Sequence, residues 1–261
     1  MDEVASDRLA DVAERAVRAG GDYLRDQFRN GHIEGEFGPD DVKAVADREA
    51  ERRVRAEIEA AFPDHGFHGE EAGRLAGERY RWVVDPLDGT NNFAHGLPAF
   101  ATALSVLDEE REPAVPVVSA IYEPLPDSLY LARRGGGATV NGEPMRARVH
   151  RDLAHGTVSF VLGDAAVRDP DLRAESWELQ TELHSHCKRV INTWSPTVDW
   201  GLLARGDLEG LVEFYPTTFE RPAGSLLAAE SGVVAHEVGE VYVASPDPDV
   251  ADRLREVVAS V

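Results

Sequence analysis

The stretch Trp82-Val83-Val84-Asp85-Pro86-Leu87-Asp88-Gly89-Thr90-Asn91-Asn92-Phe93 constrains this chain more than any other. Trp82 to Val84 are aromatic or β-branched and predict the end of a buried strand. Pro86 has no N–H to give to a ladder, so the strand is expected to stop and the chain to turn at Asp85. Asp85 and Asp88 are then held close together beside Gly89, whose missing Cβ lets backbone approach a ligand. Close, partly buried carboxylates repel one another and need a shared proton or a cation. A hard divalent ion with oxygen ligands meets that need. Gly89, Thr90 and Asn91 add backbone N–H groups and a hydroxyl, and a helix starting here would turn those N–H groups toward an anion. Metal plus anion nest suggests phosphate chemistry. The same Asp, Gly and Asn residues also suit a plain turn, so the rest of the chain has to decide.

With 261 residues the chain can bury a large core, as one α/β unit or as two halves sharing a cleft. Its 43% hydrophobic content argues against disorder. The net charge of −21, from 48 acidic against 27 basic residues, would repel nucleic acid and an anionic membrane. Only Lys43 and Lys188 are lysine. Acid excess, scarce lysine and abundant Arg and Ala resemble proteins of salt-in halophiles, in which multimolar salt screens self-repulsion. Cys187 is the one cysteine, which excludes an intramolecular disulfide framework. Met1-Asp2-Glu3-Val4 carries no basic or apolar leader pattern and no segment approaches transmembrane length, so a cytoplasmic protein is expected.

Leu9, Val12, Ala13, Ala16, Leu24 and Phe28 predict a helix over residues 5–29 with one apolar face, broken by Gly31, Gly35 and Gly38-Pro39. A second helix is predicted from about Ala44 to Ala61, ending near Pro63, with Asp47 in or just before its first turn. Gly66-Phe67-His68-Gly69-Glu70-Glu71 reads either as a surface loop or as the source of a third carboxylate for the metal centre. Phe100–Leu107, Ala114–Tyr122 and Ser128–Ala132 are strand candidates, and Gly135-Gly136-Gly137-Ala138 with Asn141-Gly142 fits a hairpin rather than a phosphate loop. From about 151 strands alternate with helices. Val158–Leu162, Arg189–Ile191, Gly210–Phe214 and Val241–Ala244 are strand candidates; Asp171–Leu183, Val198–Ala204, Pro222–Ser231 and Val250–Val258 are helical. The fold class is therefore α/β: an α+β half over 1–150 carrying most metal ligands, and an α/β half over 151–261 completing a cleft.

These residues resemble the inositol monophosphatase superfamily of metal-dependent sugar phosphatases, which includes bacterial and archaeal fructose-1,6-bisphosphatases. Asp85 to Phe93 matches its D-P-[IL]-D-G-T-x-N-F signature, and Gly69-Glu70-Glu71 its upstream G-E-E. Arg134 to Gly142 looks like its glycine hairpin, Leu208-Glu209-Gly210 ends a segment like its A-x-G-x-x-D-G, and Phe219-Glu220-Arg221-Pro222-Ala223-Gly224 stands where it carries W-D-x-A-A-G. The resemblance implies a layered αβαβα sandwich, a homodimer, and Mg2+-dependent hydrolysis of a small phosphomonoester of the inositol monophosphate or fructose 1,6-bisphosphate class. It implies that Glu70, Asp85 and the Leu87 carbonyl hold one Mg2+, and that Asp85, Asp88 and Glu220 hold a second, with two or three ions in all. Thr90, hydrogen-bonded to Asp47, would orient and help deprotonate the attacking water, with Glu70 also catalytic. Gly89 and Thr90 would bind phosphate through backbone N–H groups, with Asn91 beside them, and Ser195 and Glu213 would contact the substrate.

The chain departs from the family pattern at several places. Glu220 replaces an aspartate, which lengthens the arm to the second metal, and Arg221 stands beside it as a potential competing cation. Trp194 and Pro196 replace a glycine and a small residue near the substrate ring, and Phe37 and Ala44 replace lysine and threonine ahead of Asp47. The alternative expectation is thus a catalytically attenuated member that binds a phosphorylated ligand or a protein partner. His184-Ser185-His186-Cys187 reads as a strand-like alternation that does not aim its soft ligands at one ion, His65 and His68, near Glu70, either as supports behind the metal ligands or as surface residues, and Cys187 as an inert buried thiol.

Overall fold

The computed structural model describes residues 3–31, 35–37, 42–148 and 151–261. Gly38-Pro39 lies outside the described residues, as do the side chains of Phe37 and Ala44. Helix α1 (Glu3–Asn30) turns one stripe inward, with Leu9, Val12, Ala13, Ala16 and Leu24 buried as their spacing requires. The short strands β1 (Gly35–Phe37) and β2 (Val42–Ala44) pair antiparallel and lead into α2 (Val45–Ala61).

The next stretch builds an eight-stranded sheet from β3 (His65–Gly69), β4 (Gly73–Leu75), β5 (Glu78–Asp88), β6 (Ala101–Asp108), β7 (Val115–Glu123), β8 (Ser128–Arg133), β9 (Gly137–Val140) and β10 (Glu143–Met145). Its order is β10-β9-β8-β7-β6-β5-β3-β4. All pairs are antiparallel except β3 with β5. The five-residue helix α3 (Thr90–Ala94) sits between β5 and β6. The Gly-rich stretch makes two tight turns. At the second, Asn141 and Gly142 both take positive φ, at 50° and 81°, as a two-residue hairpin turn requires.

A smaller sheet follows: β11 (Thr157–Leu162), β12 (Arg189–Ile191), β13 (Gly210–Phe214), β14 (Val234–Val238) and β15 (Val241–Ser245), ordered β12-β11-β13-β15-β14. Its helices are α4 (Asp164–Arg168), α5 (Pro170–His186), α6 (Pro196–Arg205), α7 (Glu220–Ser231) and α8 (Pro248–Val258). Helices α1 and α2 cover one face of the large sheet, α6 and α7 lie between the sheets, and α5 and α8 cover the outer face of the small one. The layering is αβαβα, and the chain is a mixed α/β protein as expected. Among the described residues no helix is long and apolar enough to cross a membrane.

Five readings of the sequence need correction. Strand β5 does not stop at Pro86 but runs on to Asp88. Asp85 pairs with Ala103 and Asp88 with Ala101, so Pro86 and Leu87 bulge opposite Thr102 alone, where a ladder N–H is not required. Gly66–Gly69 is not a loop: it belongs to β3, invisible as a strand because two glycines dilute its apolar pattern. His184 to His186 form the last turn of α5 rather than a strand-like alternation, with His186 Nε2 3.0 Å from Glu182 and Cys187 capping the helix. His65 is half-buried rather than out on the surface. It is stacked on Phe62 at 4.4 Å and accepts the Trp82 indole N–H at 3.1 Å, and burial pushes its pKa down. Helices α5 and α8 also begin earlier than their apolar periodicity indicates, because Asp169 and Asp247 cap them ahead of Pro170 and Pro248.

Candidate functional site

Two parallel strand pairs aim their carboxyl ends at one cleft. In the large sheet Gly69 pairs with Val84, so the next residues along β3 and β5, Glu70 and Asp85, leave the ladder level with each other. In the small sheet β11 and β13 run parallel, and Val161, Leu162 and Glu213 at their ends line the same cleft. Side chains leaving the carboxyl ends of parallel strands commonly form ligand sites. The cleft has a volume of about 180 Å³.

The motif loop is anchored from below. Leu87 and Phe93 are buried with Leu24, Ala50 and Phe100, and Phe93 meets Phe100 edge-on at 5.1 Å. Burying such side chains stabilises the loop by about 1.5–3 kcal/mol each, which holds its polar residues in place without their own participation. Gly89 adopts φ 85°, and a Cβ there would lie 2.7 Å from the Ala99 carbonyl and 3.0 Å from Ser195 Cβ. Only glycine meets both conditions. The bulge is tied down by Thr102, whose hydroxyl donates to the Pro86 carbonyl at 2.9 Å.

Asp85, Asp88 and Glu220 each direct a carboxylate oxygen to one spot, with those atoms all within 4.8 Å of one another. Asp85 Oδ1 accepts the Leu87 N–H at 3.1 Å. Burial, reinforced by the charges of Asp88, Glu70, Glu220 and Asp47, holds the Asp85 carboxyl well above the ordinary carboxylate range. Burial likewise lifts Asp88, to about 6, against the opposing hydrogen bonds of Thr197 and Ser195. Three donors converge on Asp88 Oδ2: the Thr197 N–H at 2.7 Å, the Ser195 hydroxyl at 2.8 Å and the Thr197 hydroxyl. Ser195 stands at the N-cap of α6 yet makes no side-chain cap bond, because its hydroxyl goes to Asp88.

Glu220 is the first residue of α7, and its Oε2 is buried with no hydrogen-bond partner among the described residues. Burial first, then the charges of Asp88, Glu213 and Glu70, raise its pKa well above the usual range. Arg221, the potential competing cation, turns instead to Glu237 and packs over the Tyr242 ring at 5.0 Å. A divalent ion fits this donor set: three hard oxygen donors, one of them otherwise unsatisfied, gathered where their mutual repulsion calls for positive charge. Helix α7 can approach this closely because Gly224 lies flat on Trp200, where a Cβ would come within 2.3 Å of the ring.

The other expected residues are placed as follows. Glu70, Leu87, Gly89, Thr90, Asn91, Ser195 and Glu213 all line the cleft. Asp47 is buried in the first turn of α2, close enough for its charge to act on Asp85. Thr90 Oγ1 donates to the Leu87 carbonyl at 2.9 Å. Glu213 is buried on β13, its Oε2 is without a hydrogen-bond partner among the described residues, and burial pushes its pKa up to about 8. Glu209 does not face the cleft, but accepts the Thr157 N–H at 2.6 Å. His68 packs its ring on Phe219 at 4.9 Å, immediately ahead of Glu220.

Sequence reasoning missed three residues. Asp199 lines the cleft from the buried face of α6, accepts the Thr193 hydroxyl at 2.9 Å, and is raised to about 7 by burial. A lone acid between Val198 and Trp200 on a buried helix face was the available signal. Thr197 supplies two of the three bonds to Asp88. Glu51 on α2 accepts the N–H groups of Glu71 and Ala72, both at 2.8 Å, and so holds the turn that carries Glu70.

Trp194 lines the cleft with 49% of its surface exposed. Its φ of 57° is left-handed, which costs a non-glycine residue on the order of 1 kcal/mol.

Comparison with known proteins adds an independent line. The family model described as "Inositol monophosphatase family" matches residues 5–260. The chain is 32% identical over 239 residues to a "Fructose-1,6-bisphosphatase/inositol-1-monophosphatase" of Aquifex aeolicus, covering 90% of this chain and 88% of that one. It is 29% identical over 231 residues to the "Nus factor SuhB" of Vibrio cholerae, covering 87% and 84%. Among solved structures, the extragenic suppressor protein suhB of Bartonella henselae superposes with a TM-score of 0.84 at 26% identity, covering 95% of this chain and 97% of that one.

Proposed function

The chain belongs to the inositol monophosphatase family, and from that premise we propose that it is a Mg2+-dependent phosphomonoesterase acting on a small phosphorylated polyol or sugar. The observation that carries this reading is the convergence of Asp85, Asp88 and Glu220 oxygens within 4.8 Å in the floor of a cleft also lined by Glu70, Gly89 and Thr90. Glu70, Asp85 and the Leu87 carbonyl would hold one ion, and Asp85, Asp88 and Glu220 another. Bound Mg2+ supplies charge neutralisation for the phosphoryl oxygens and acidifies water.

The protein's own groups do the rest by positioning. Gly89 and Thr90 direct backbone N–H groups at the phosphate, and their cost is met in advance by the buried anchors Leu87 and Phe93. Thr90 Oγ1 and Asp47 orient the attacking water and take up its proton. Asp88, held by three donors on Oδ2, offers the cluster a fixed carboxylate. Glu213 accepts hydroxyls of the organic moiety. A cytoplasmic homodimer belongs to the same proposal, with sedimentation in high salt as its check.

The test is phosphate release from inositol 1-phosphate and fructose 1,6-bisphosphate in Mg2+ and high KCl. Activity that survives EDTA or Asp85→Asn unchanged sinks the proposal. A second reading, an attenuated member that binds a phosphorylated ligand or a protein partner, is favoured by the glutamate at 220 and by the name of the Vibrio relative. Glu220→Asp separates the two. A large gain in turnover marks an attenuated site, and a loss marks glutamate as a ligand adapted to this backbone.

A further inference from the structure

Trp194 combines three properties that rarely coincide. Its backbone is left-handed, at φ 57°, the residue is 49% exposed, and it lines the cleft. The backbone is not free to relax. Trp194 N–H donates to Asn192 Oδ1 at 2.9 Å, Ser195 N–H to Thr193 Oγ1 at 3.2 Å, and Asn92 Nδ2 to the Thr193 carbonyl at 2.6 Å. The next residues, Ser195 and Thr197, are fastened to Asp88. Glycine would satisfy this conformation without strain. The chain instead carries its largest apolar side chain there and leaves half of it in water, which gains little for folding. Backbone strain at a cleft residue that does not stabilise the core points to a ligand contact.

The cleft that holds Trp194 also holds two sets of carboxyl groups. Asp85, Asp88 and Glu220 form the cluster that would bind the phosphate under the phosphomonoesterase reading, while Glu213 and Asp199 offer further buried carboxyl groups. An indole face carries negative quadrupole and favours a flat surface of polarised C–H bonds, whereas the carboxyl groups favour hydroxyls at an edge. A ring bearing hydroxyls presents both at once. An acyclic chain offers no such face and loses more rotor freedom on binding. Resting on the phosphomonoesterase reading, we propose that Trp194 is a specificity-determining stacking platform that selects phosphate esters of cyclic sugars or cyclitols over acyclic polyol phosphates.

The test compares the intact chain with Trp194→Gly and Trp194→Phe. Affinities for inositol 1-phosphate and for glycerol 3-phosphate are measured by calorimetry with Ca2+ as the divalent ion, which keeps hydrolysis slow. The ring-to-acyclic affinity ratio is expected to fall about three- to tenfold in Trp194→Gly, the size of one ring-stacking contact, and to be largely kept in Trp194→Phe. The glycine variant is expected to melt at or above the wild-type temperature, since φ 57° suits it. An unchanged ratio in Trp194→Gly, equal wild-type binding of both esters, or binding of neither, overturns the proposal. Phosphate release in Mg2+ is scored separately: a ratio that falls as expected in a protein releasing no phosphate retains the platform and removes the phosphatase.

Discussion

The Asp88 carboxylate accepts the backbone N–H of Thr197 at 2.7 Å, joining residues 109 positions apart in the chain. This contact and the two hydroxyl bonds beside it couple the end of β5 to the start of α6, and so one sheet's carboxylate to the other sheet's layer.

Removing the hydroxyls tests that coupling. Ser195→Ala and Thr197→Val leave the backbone bond but strip two charge-assisted donors from Asp88, each contributing about 1.5–3 kcal/mol. Urea denaturation of the chelated protein should register that loss, and the Asp88 pKa should rise above its present value of about 6. Unaltered stability in the double variant would show that the hydroxyls do not hold the carboxylate.

The buried acids predict a pH response in the metal-free protein. Glu213 is raised by burial from 4.5 to about 8, so the folded state keeps a proton that the unfolded chain has already lost. The stability it contributes is complete below about pH 4.5 and is lost as pH rises through 8. Asp199, raised from 3.8 to about 7, acts in the same direction over a lower window. The melting temperature in EDTA should therefore decline between those limits, and Glu213→Gln should flatten the decline. A variant with the wild-type pH slope would count against the assignment.

Glu51 predicts a remote effect on the site. Its two oxygens take the N–H groups of Glu71 and Ala72, and it lies against Gly69, where a Cβ would meet it at 2.3 Å. Glu51→Ala leaves two partly buried donors unpaired, at about 1–3 kcal/mol each, and frees the turn that carries Glu70. Thermal melts should show the destabilisation, and phosphatase assays an added loss of turnover. Glu51→Gln, which keeps one acceptor, should fall between. Full activity in Glu51→Ala at a temperature where it is folded would detach Glu51 from the site.

Much of the architecture was legible because it is written in periodicity. The helices at 5–29 and 44–61 follow from apolar residues three and four apart, and the strands at 100–107 and 128–132 from alternation and turn residues. What escaped has identifiable causes. Strand β3 contains Gly66 and Gly69, which carry no side-chain pattern. Pro86 reads as a strand breaker until it is known to sit in a bulge. The histidines at 184 and 186 belong to a helix whose last turn has no apolar repeat.

Asp85, Asp88, Gly89 and Thr90 lie within six residues of one another, so the sequence by itself determined that two carboxylates, a glycine and a hydroxyl would meet in one short segment, since residues so close in the chain cannot separate far. The tertiary structure alone decided what surrounds them. Parallel pairing of Gly69 with Val84 sets Glu70 level with Asp85, and the packing of Gly224 on Trp200 brings Glu220 to the cluster. The clamps around Asn192 to Thr197 hold Trp194 in the cleft wall. Such proximities arise from register and helix packing between distant segments, where burial outweighs the loop-closure cost, and no local pattern encodes them.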